Sequence, residues 1–118
     1  MANFIFAFTN ASDTVSLEIH SKEVEEYIEK VITKYNELSN DQYYYIPTEI
    51  ISANKETVPG VTYYIKLKIG LSNCKKEYIL DQCFDPASCR VEDTVSNKDI
   101  NAKIYISSLD NVEEITFQ

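Results

Sequence analysis

The strongest constraint on the fold is one stretch with helical periodicity, which precedes a series of strand-like segments. Ser21 stands where a helix N-cap belongs, and acidic residues in the first turn with lysines further on suit the helix dipole. The apolar residues that recur at helical spacing are Val24, Tyr27, Ile28, Val31, Ile32, Tyr35 and Leu38. This pattern predicts one long amphipathic helix with a core-facing side.

Alternation with a period of two dominates the rest of the chain. It predicts a half-buried strand within residues 1–19, long strands over 43–53 and 61–69, and a final strand pair around 104–106 and 115–117. Pro47 is expected at a bulge or an exposed edge, and residues 71–98 are expected to be irregular. One helix followed by an antiparallel meander predicts an α+β fold, with the long N-terminal helix packed across a twisted sheet of about five strands.

Length, charge and composition exclude several classes of function. A chain of 118 residues is expected to form a single domain over residues 1–118. The net charge of −8 argues against nucleic acid and against an anionic membrane surface. No apolar run approaches the roughly 20 residues that a membrane span needs. With 2 glycines the chain has no phosphate-cradling loop, and no cofactor is expected.

Catalytic and metal chemistry are also not expected. His20 is the single histidine and lies at the helix entry, far in sequence from the cysteines, so a Cys–His nucleophile pair is unsupported. The acidic residues, including the pair Glu92 and Asp93, are expected to form a solvated face. The three cysteines with His20 fit no zinc-ligand spacing. The sequence therefore predicts a protein that is not an enzyme and binds no metal.

A turn between the two long strands is predicted at Pro59 and Gly60. Proline suits the first central position of a type II turn, and glycine accepts the positive φ of the second. The cysteines leave more than one arrangement open, because Cys74, Cys83 and Cys89 are odd in number. Cys89 could be a free thiol, a partner of Cys74 or a bridge to another chain, and spacing alone does not choose.

Several strings together resemble the cystatins, and in particular the secreted class that carries a cysteine pair. The strings are 34–41 (KYNELSND) at the helix exit, 50–53 (IISA), 57–60 (TVPG), 61–64 (VTYY), 70–74 (GLSNC) and 80–83 (LDQC). The resemblance covers residues 24–83 closely and the stretch after Lys98 loosely. It implies the cystatin fold, a secreted protein, and a disulfide between Cys74 and Cys83. Asn10 begins the one N-glycosylation sequon.

The resemblance implies an inhibitor of papain-like cysteine proteases such as cathepsins, which occludes the active-site cleft with a three-part wedge. The implied protease-binding residues are Ser12 in the N-terminal trunk, Glu56, Thr57, Val58, Pro59 and Gly60 in the first hairpin, and Ser108 and Leu109 in the second. Family members carry glycine in the trunk, Gln at position 56 and Pro-Trp at positions 108 and 109. These departures imply weakened inhibition.

The resemblance also implies a second site, because Ser39, Asn40 and Asp41 match the segment by which some cystatins inhibit legumain, a protease that cleaves after Asn. The alternative is a helix end in which Asn40 adopts left-handed geometry. A further alternative is a non-inhibitory cystatin-fold module with a binding or immunomodulatory role. A monomer is expected, and a dimer that swaps the helix and first strand is the other form the resemblance implies.

Overall fold

The structure, a computed structural model, describes residues 14–57, 60–79 and 86–118. The helices and strands are β1 (Thr14–Ser16), α1 (Lys22–Leu38), β2 (Tyr43–Glu56), β3 (Val61–Lys75), α2 (Lys76–Ile79), β4 (Lys98–Ile106) and β5 (Glu113–Phe117). The strands form one antiparallel sheet in the order β1-β2-β3-β4-β5. The predicted α+β fold, with one long helix against a five-stranded sheet, is confirmed.

Helix α1 begins where its cap predicts. The Ser21 hydroxyl accepts a hydrogen bond from the Val24 backbone N–H at 3.2 Å, which satisfies one of the unpaired donors of the first turn. The apolar stripe of α1 then lies against β2, β3 and β4. The buried core consists of Val24, Ile28, Val31, Ile32, Tyr45, Ala53, Tyr63, Ile65, Leu67, Ile69, Ile100, Ala102 and Ile104.

The pairing of strand β2 with β3 is interrupted by shifts in register. The register shifts between Pro47 and Glu49, where a bulge was predicted, and shifts again between Ile50 and Ser52. Proline has no N–H to donate to the ladder, so a bulge is a site that tolerates it. Near the start of β2, the side chain of Asn36 in α1 bonds both the N–H and the C=O of Tyr45, at 2.8 and 2.9 Å.

The N-terminal strand is shorter and more exposed than the alternation predicts. Only Thr14–Ser16 forms a strand, all three residues are exposed, and Leu17 alone of the segment packs against the core. The strand predicted within residues 1–19 is therefore confirmed at Thr14–Ser16, but the half-burial predicted for it is wrong at these residues. Asn10 and Ser12 lie outside the described residues, as do Val58 and Pro59.

The region predicted as irregular is partly regular. Strand β3 continues to Lys75 and leads directly into α2, and 3₁₀ turns lie at Pro86–Ser88 and Thr94–Ser96. In the described parts of the chain, no helix is long and apolar enough to cross a membrane.

The disulfide joins Cys74 to Cys89, so the predicted pair Cys74–Cys83 is wrong. The Cα atoms of Cys74 and Cys89 are 5.7 Å apart, within the range that a disulfide needs. Asn73 N–H donates to the Arg90 carbonyl and Arg90 N–H donates to the Asn73 side-chain oxygen, and these two bonds bring the second cysteine to the end of β3, which sequence spacing does not reveal. A loop of 15 residues contributes about 3 kcal/mol by the chain-entropy model. Cys83 lies outside the described residues.

Candidate functional site

Three parts of the chain meet at one end of the sheet, which we call the hairpin end. Thr14 lies opposite Glu56, so the chain enters the sheet beside the point where β2 ends. Val61 lies opposite Ile106, so the loop 107–112 begins beside the first residues of β3. The pairing of the strands therefore brings Thr14, the first hairpin and the second hairpin to the same end of the sheet.

All five of the predicted protease-binding residues that the structure describes lie at this end. The hairpin end brings together Glu56, Thr57 and Gly60 of the first hairpin with Ser108 and Leu109 of the second. The remaining three members of the predicted set, Ser12, Val58 and Pro59, lie outside the described residues.

Gly60 has a backbone that favours glycine and a close neighbour that excludes a side chain. Its φ is +70°, the positive value predicted for this turn. A Cβ at this position would lie 2.9 Å from the backbone oxygen of Ile106 and 3.3 Å from the hydroxyl oxygen of Tyr105. Gly60 of the first hairpin therefore lies so close to the base of the second hairpin that a hydrogen atom fits between them but a side chain does not.

The second hairpin is organised by its own short hydrogen bonds. Ser107 N–H donates to the Val112 carbonyl at 3.2 Å, and Asn111 N–H donates to the Ser107 carbonyl at 3.0 Å. Asn111 takes a φ of +58°, which asparagine tolerates better than most residues. Leu109 projects from this loop with 94% of its surface exposed. The loop thus presents a large apolar side chain on a constrained backbone.

Glu56 lies at the hairpin end, where its Oε1 accepts a hydrogen bond from the hydroxyl of Tyr64 at 3.3 Å. The two residues are diagonal neighbours across β2 and β3, because Glu56 lies opposite Thr62. Burial and the neighbouring Glu56 carboxylate raise the pKa of Tyr64. A carboxylate here accepts hydrogen bonds but offers none to a partner.

A charged cluster ties the start of α1 to the strands behind the first hairpin. The Glu23 carboxylate accepts hydrogen bonds from the Tyr63 hydroxyl and from Lys55 Nζ, the latter at 3.0 Å. These two donors lower the pKa of Glu23, and burial together with Glu23 raises that of Tyr63. The ring of Tyr27 stacks on Tyr63 with centroids 4.2 Å apart. This cluster limits movement of β2 just before Glu56.

The segment Ser39–Asp41 lies at the opposite end of the sheet, because it directly precedes β2, whose first residue Tyr43 lies opposite Lys75. The Ser39 carbonyl accepts a hydrogen bond from Lys76 Nζ at 2.7 Å. The Asp41 carboxylate accepts one from the Tyr45 hydroxyl at 2.7 Å. Asn40 between them is exposed, so its side chain is presented between two anchored neighbours.

The left-handed geometry considered for Asn40 is wrong. Among the described residues other than glycine, positive φ occurs at Asn111 alone. Helix α1 instead ends at Ser39 in an extended conformation, with its N–H bonded to the Tyr35 carbonyl. The chain after the helix is bonded locally by the Ser39 hydroxyl, which accepts a hydrogen bond from the Asp41 backbone N–H at 3.1 Å.

Sequence reasoning missed three residues that shape these two ends: Asn36, Lys76 and Tyr105. Asn36 had a visible signal, because it continues the i, i+4 row of Ile28 and Ile32 on the apolar face. Lys76 and Tyr105 had none, because each acts on a residue far away in sequence. In the described parts of the chain, no three His, Cys, Asp or Glu side chains are grouped to hold a metal ion.

Comparison with known proteins places these observations in a family. A family model described as a cystatin domain matches residues 14–107. Cystatin-D of Mus musculus is 27% identical over 90 residues, covering 75% of this chain and 61% of that protein. Cystatin cpi-2 of Brugia malayi is 35% identical over 54 residues, covering 46% of this chain and 34% of its own length. The chain thus spans less than two thirds of the length of these relatives.

Solved structures agree on the fold. The structure titled Al-CPI covers 89% of this chain and 94% of its own, with a TM-score of 0.76 at 20% identity. The salivary cystatin of the soft tick Ornithodoros moubata has the same two coverages, with a TM-score of 0.64 at 15% identity. At these identities the likeness concerns the fold alone. Because the family model covers most of the sequence, the chain belongs to the cystatin family.

Proposed function

We propose that this chain inhibits papain-like cysteine proteases by inserting its hairpin end into the active-site cleft. The proposal rests on one observation. Thr14, Glu56, Gly60 and the loop 107–112 lie together at the same end of the sheet. A protease cleft is a long depression, so a row of adjacent chain segments at the end of a sheet fits its shape. The partners are cathepsin-type enzymes, the protein is secreted, and it acts as a monomer.

The physical basis is a pre-ordered edge with one apolar projection. Strand pairing fixes the strands that flank both hairpins before binding, so docking costs little conformational entropy in these strands. Leu109 supplies exposed apolar surface, but it lacks the area of an aromatic anchor, whose loss costs about 2 kcal/mol or more at a hot spot. The proposed inhibition is therefore weaker than that of an edge with an aromatic residue at this position.

Titration of papain and a cathepsin with the purified chain tests this function. We expect reversible inhibition that is competitive with a fluorogenic peptide substrate, and an inhibitor whose mass is unchanged after incubation. Absence of inhibition at micromolar concentration would contradict the proposal. It would favour the other reading, in which the fold serves as a non-inhibitory binding or immunomodulatory module.

Glu56→Gln is expected to tighten inhibition of papain about tenfold, which corresponds to about 1.4 kcal/mol. An amide can donate hydrogen bonds to the protease, whereas the carboxylate must be desolvated without that gain. The inhibition constant at fixed pH and salt measures the effect. Glu49→Gln is the matched control, because Glu49 lies in the same strand away from the hairpin end and is exposed. Unchanged or weaker inhibition by Glu56→Gln would count against this role.

A second candidate function is inhibition of legumain through Asn40. The observation that favours it is the anchoring of Ser39 by Lys76 and of Asp41 by Tyr45 around an exposed Asn40. Anchored neighbours hold a substrate-like segment in one shape, which slows its turnover and release.

Asn40→Ala is expected to weaken legumain inhibition by about 100-fold or more, because a pocket built to hydrogen-bond an amide is left with unpaired groups. Papain inhibition should not change, since Asn40 lies at the opposite end of the sheet. Asn101→Ala, at an exposed position in β4, is the control for loss of an amide elsewhere. Equal legumain inhibition by Asn40→Ala and the parent chain would rule out this site.

A further inference from the structure

The side chain of Tyr105 reaches the first hairpin from the neighbouring strand. Ile104 on one side of it is fully buried in the core, so Tyr105 points to the sheet face away from α1. It lies opposite Thr62, which is buried although it shares that outer face. A Cβ on Gly60 would lie 3.3 Å from the hydroxyl oxygen of Tyr105 and 3.4 Å from its Cε1. The phenol therefore extends past Thr62 to the level of the first hairpin.

The hydroxyl of Tyr105 differs from those of three other tyrosines in the sheet. Tyr45, Tyr63 and Tyr64 each donate to a carboxylate, at Asp41, Glu23 and Glu56. Within the described ranges, the hydroxyl of Tyr105 has no hydrogen-bond partner, and its side chain is partly exposed. A tyrosine combines an apolar ring with a polar end, and this polar end is free to bond a partner.

Gly60 keeps the phenol uncovered. Any side chain at position 60 would project toward Tyr105, because its Cβ would lie in van der Waals contact with the hydroxyl oxygen and the Cε1 atom. The missing side chain therefore leaves an opening through which a docked molecule touches the ring edge. This makes the glycine a requirement for access to Tyr105 as well as for the turn.

We propose that Tyr105 is a contact residue of the hairpin end, which packs its ring edge against the rim of the protease cleft and bonds a backbone group there through its hydroxyl. The inference rests on the proposed inhibition of papain-like proteases. It deepens that function by placing an aromatic contact at the base of the second hairpin, where Leu109 at the tip offers none. Tyrosine is among the residues that most often dominate binding energy at interfaces.

Inhibition constants of two variants against papain test the inference. Tyr105→Phe keeps the ring and is expected to weaken inhibition about three- to tenfold, the loss of one neutral hydrogen bond. Tyr105→Ala is expected to weaken it about 30-fold or more. Tyr43→Phe removes a hydroxyl from a partly exposed tyrosine at the opposite end of the sheet and is the matched control for the Tyr105→Phe change. Thermal midpoints of all variants report any structural effect separately.

A spectroscopic readout separates contact from support. With 3-fluorotyrosine at position 105, the ¹⁹F resonance should shift on addition of inactivated papain, because the ring edge leaves solvent. Tyr105→Phe inhibiting as well as the parent chain, or an unshifted resonance in the saturated complex, would overturn the inference while leaving the proposed function intact. A parent chain that does not inhibit papain at all would overturn both.

Discussion

Gly60→Ala is expected to weaken inhibition of papain by about 100-fold or more, which corresponds to about 2.7 kcal/mol. The left-handed region costs an alanine about 1–2 kcal/mol relative to glycine. The added Cβ would also lie 2.9 Å from the backbone oxygen of Ile106, and a backbone atom cannot move aside cheaply. The first hairpin must therefore shift away from the second, and the edge that enters the cleft loses its alignment.

Stability and binding must be measured on the same Gly60→Ala preparation. Circular dichroism is expected to show a folded protein at 25 °C with a lower thermal midpoint, so that lost inhibition reports a displaced hairpin. Asn40→Ala should inhibit papain as the parent chain does, because it lies at the other end of the sheet. If Gly60→Ala inhibited papain normally, the contact between the two hairpins would have no part in binding.

Local sequence signals were sufficient for the elements that position the hairpin end. The Ser21 cap and the apolar stripe gave α1, because both depend on residues within one or two turns. Alternation predicted β3 over residues 61–69 and the last part of β4 over 104–106, and the predicted meander makes the two strands neighbours although residues 76–97 separate them. Gly60 was also readable, because a proline–glycine turn requires its positive φ.

Features that depend on contacts between residues far apart in the sequence could not be predicted from the sequence. The choice of Cys89 over Cys83 as partner of Cys74 depends on how residues 90 and 91 return beside the end of β3. The contact between Tyr105 and Gly60 depends on register across two strands. Lys30 likewise bonds Glu113 of β5 at 2.8 Å, a residue that lies 83 positions away. No short-range pattern contains such information.

Asn36→Leu is expected to lower the free energy of unfolding by about 3–5 kcal/mol, the cost of two or more buried polar groups left unpaired. Asn36 is only 5% exposed, and its amide donates to the carbonyls of Ile32 and Tyr45, each at 2.9 Å. Its Oδ1 accepts the Tyr45 N–H at 2.8 Å. Leucine fills similar volume on the apolar face of α1, so the loss measures hydrogen bonding rather than a cavity.

The bonding geometry explains why this one side chain matters. Strand β1 covers β2 only from Asn54 to Glu56, so among the described residues no strand lies beside the outer edge of β2 near Tyr45. Asn36 takes the place of that strand by pairing with both backbone groups of Tyr45, and it thereby joins the last turn of α1 to the start of β2. Because Asn36 joins α1 to β2, the segment 39–41 that connects these two elements is held at both ends.

Urea unfolding of three variants separates these contributions. Asn36→Asp keeps the shape and the acceptor for Tyr45 N–H but sets a carboxylate against two carbonyl oxygens, so it should destabilise the fold about as much as leucine. Thr33→Ala, at an exposed position on the same helix, should change the free energy of unfolding by no more than about 0.5 kcal/mol. An Asn36→Leu protein as stable as the parent would mean that Tyr45 finds other partners, and the link between α1 and β2 would then not depend on Asn36.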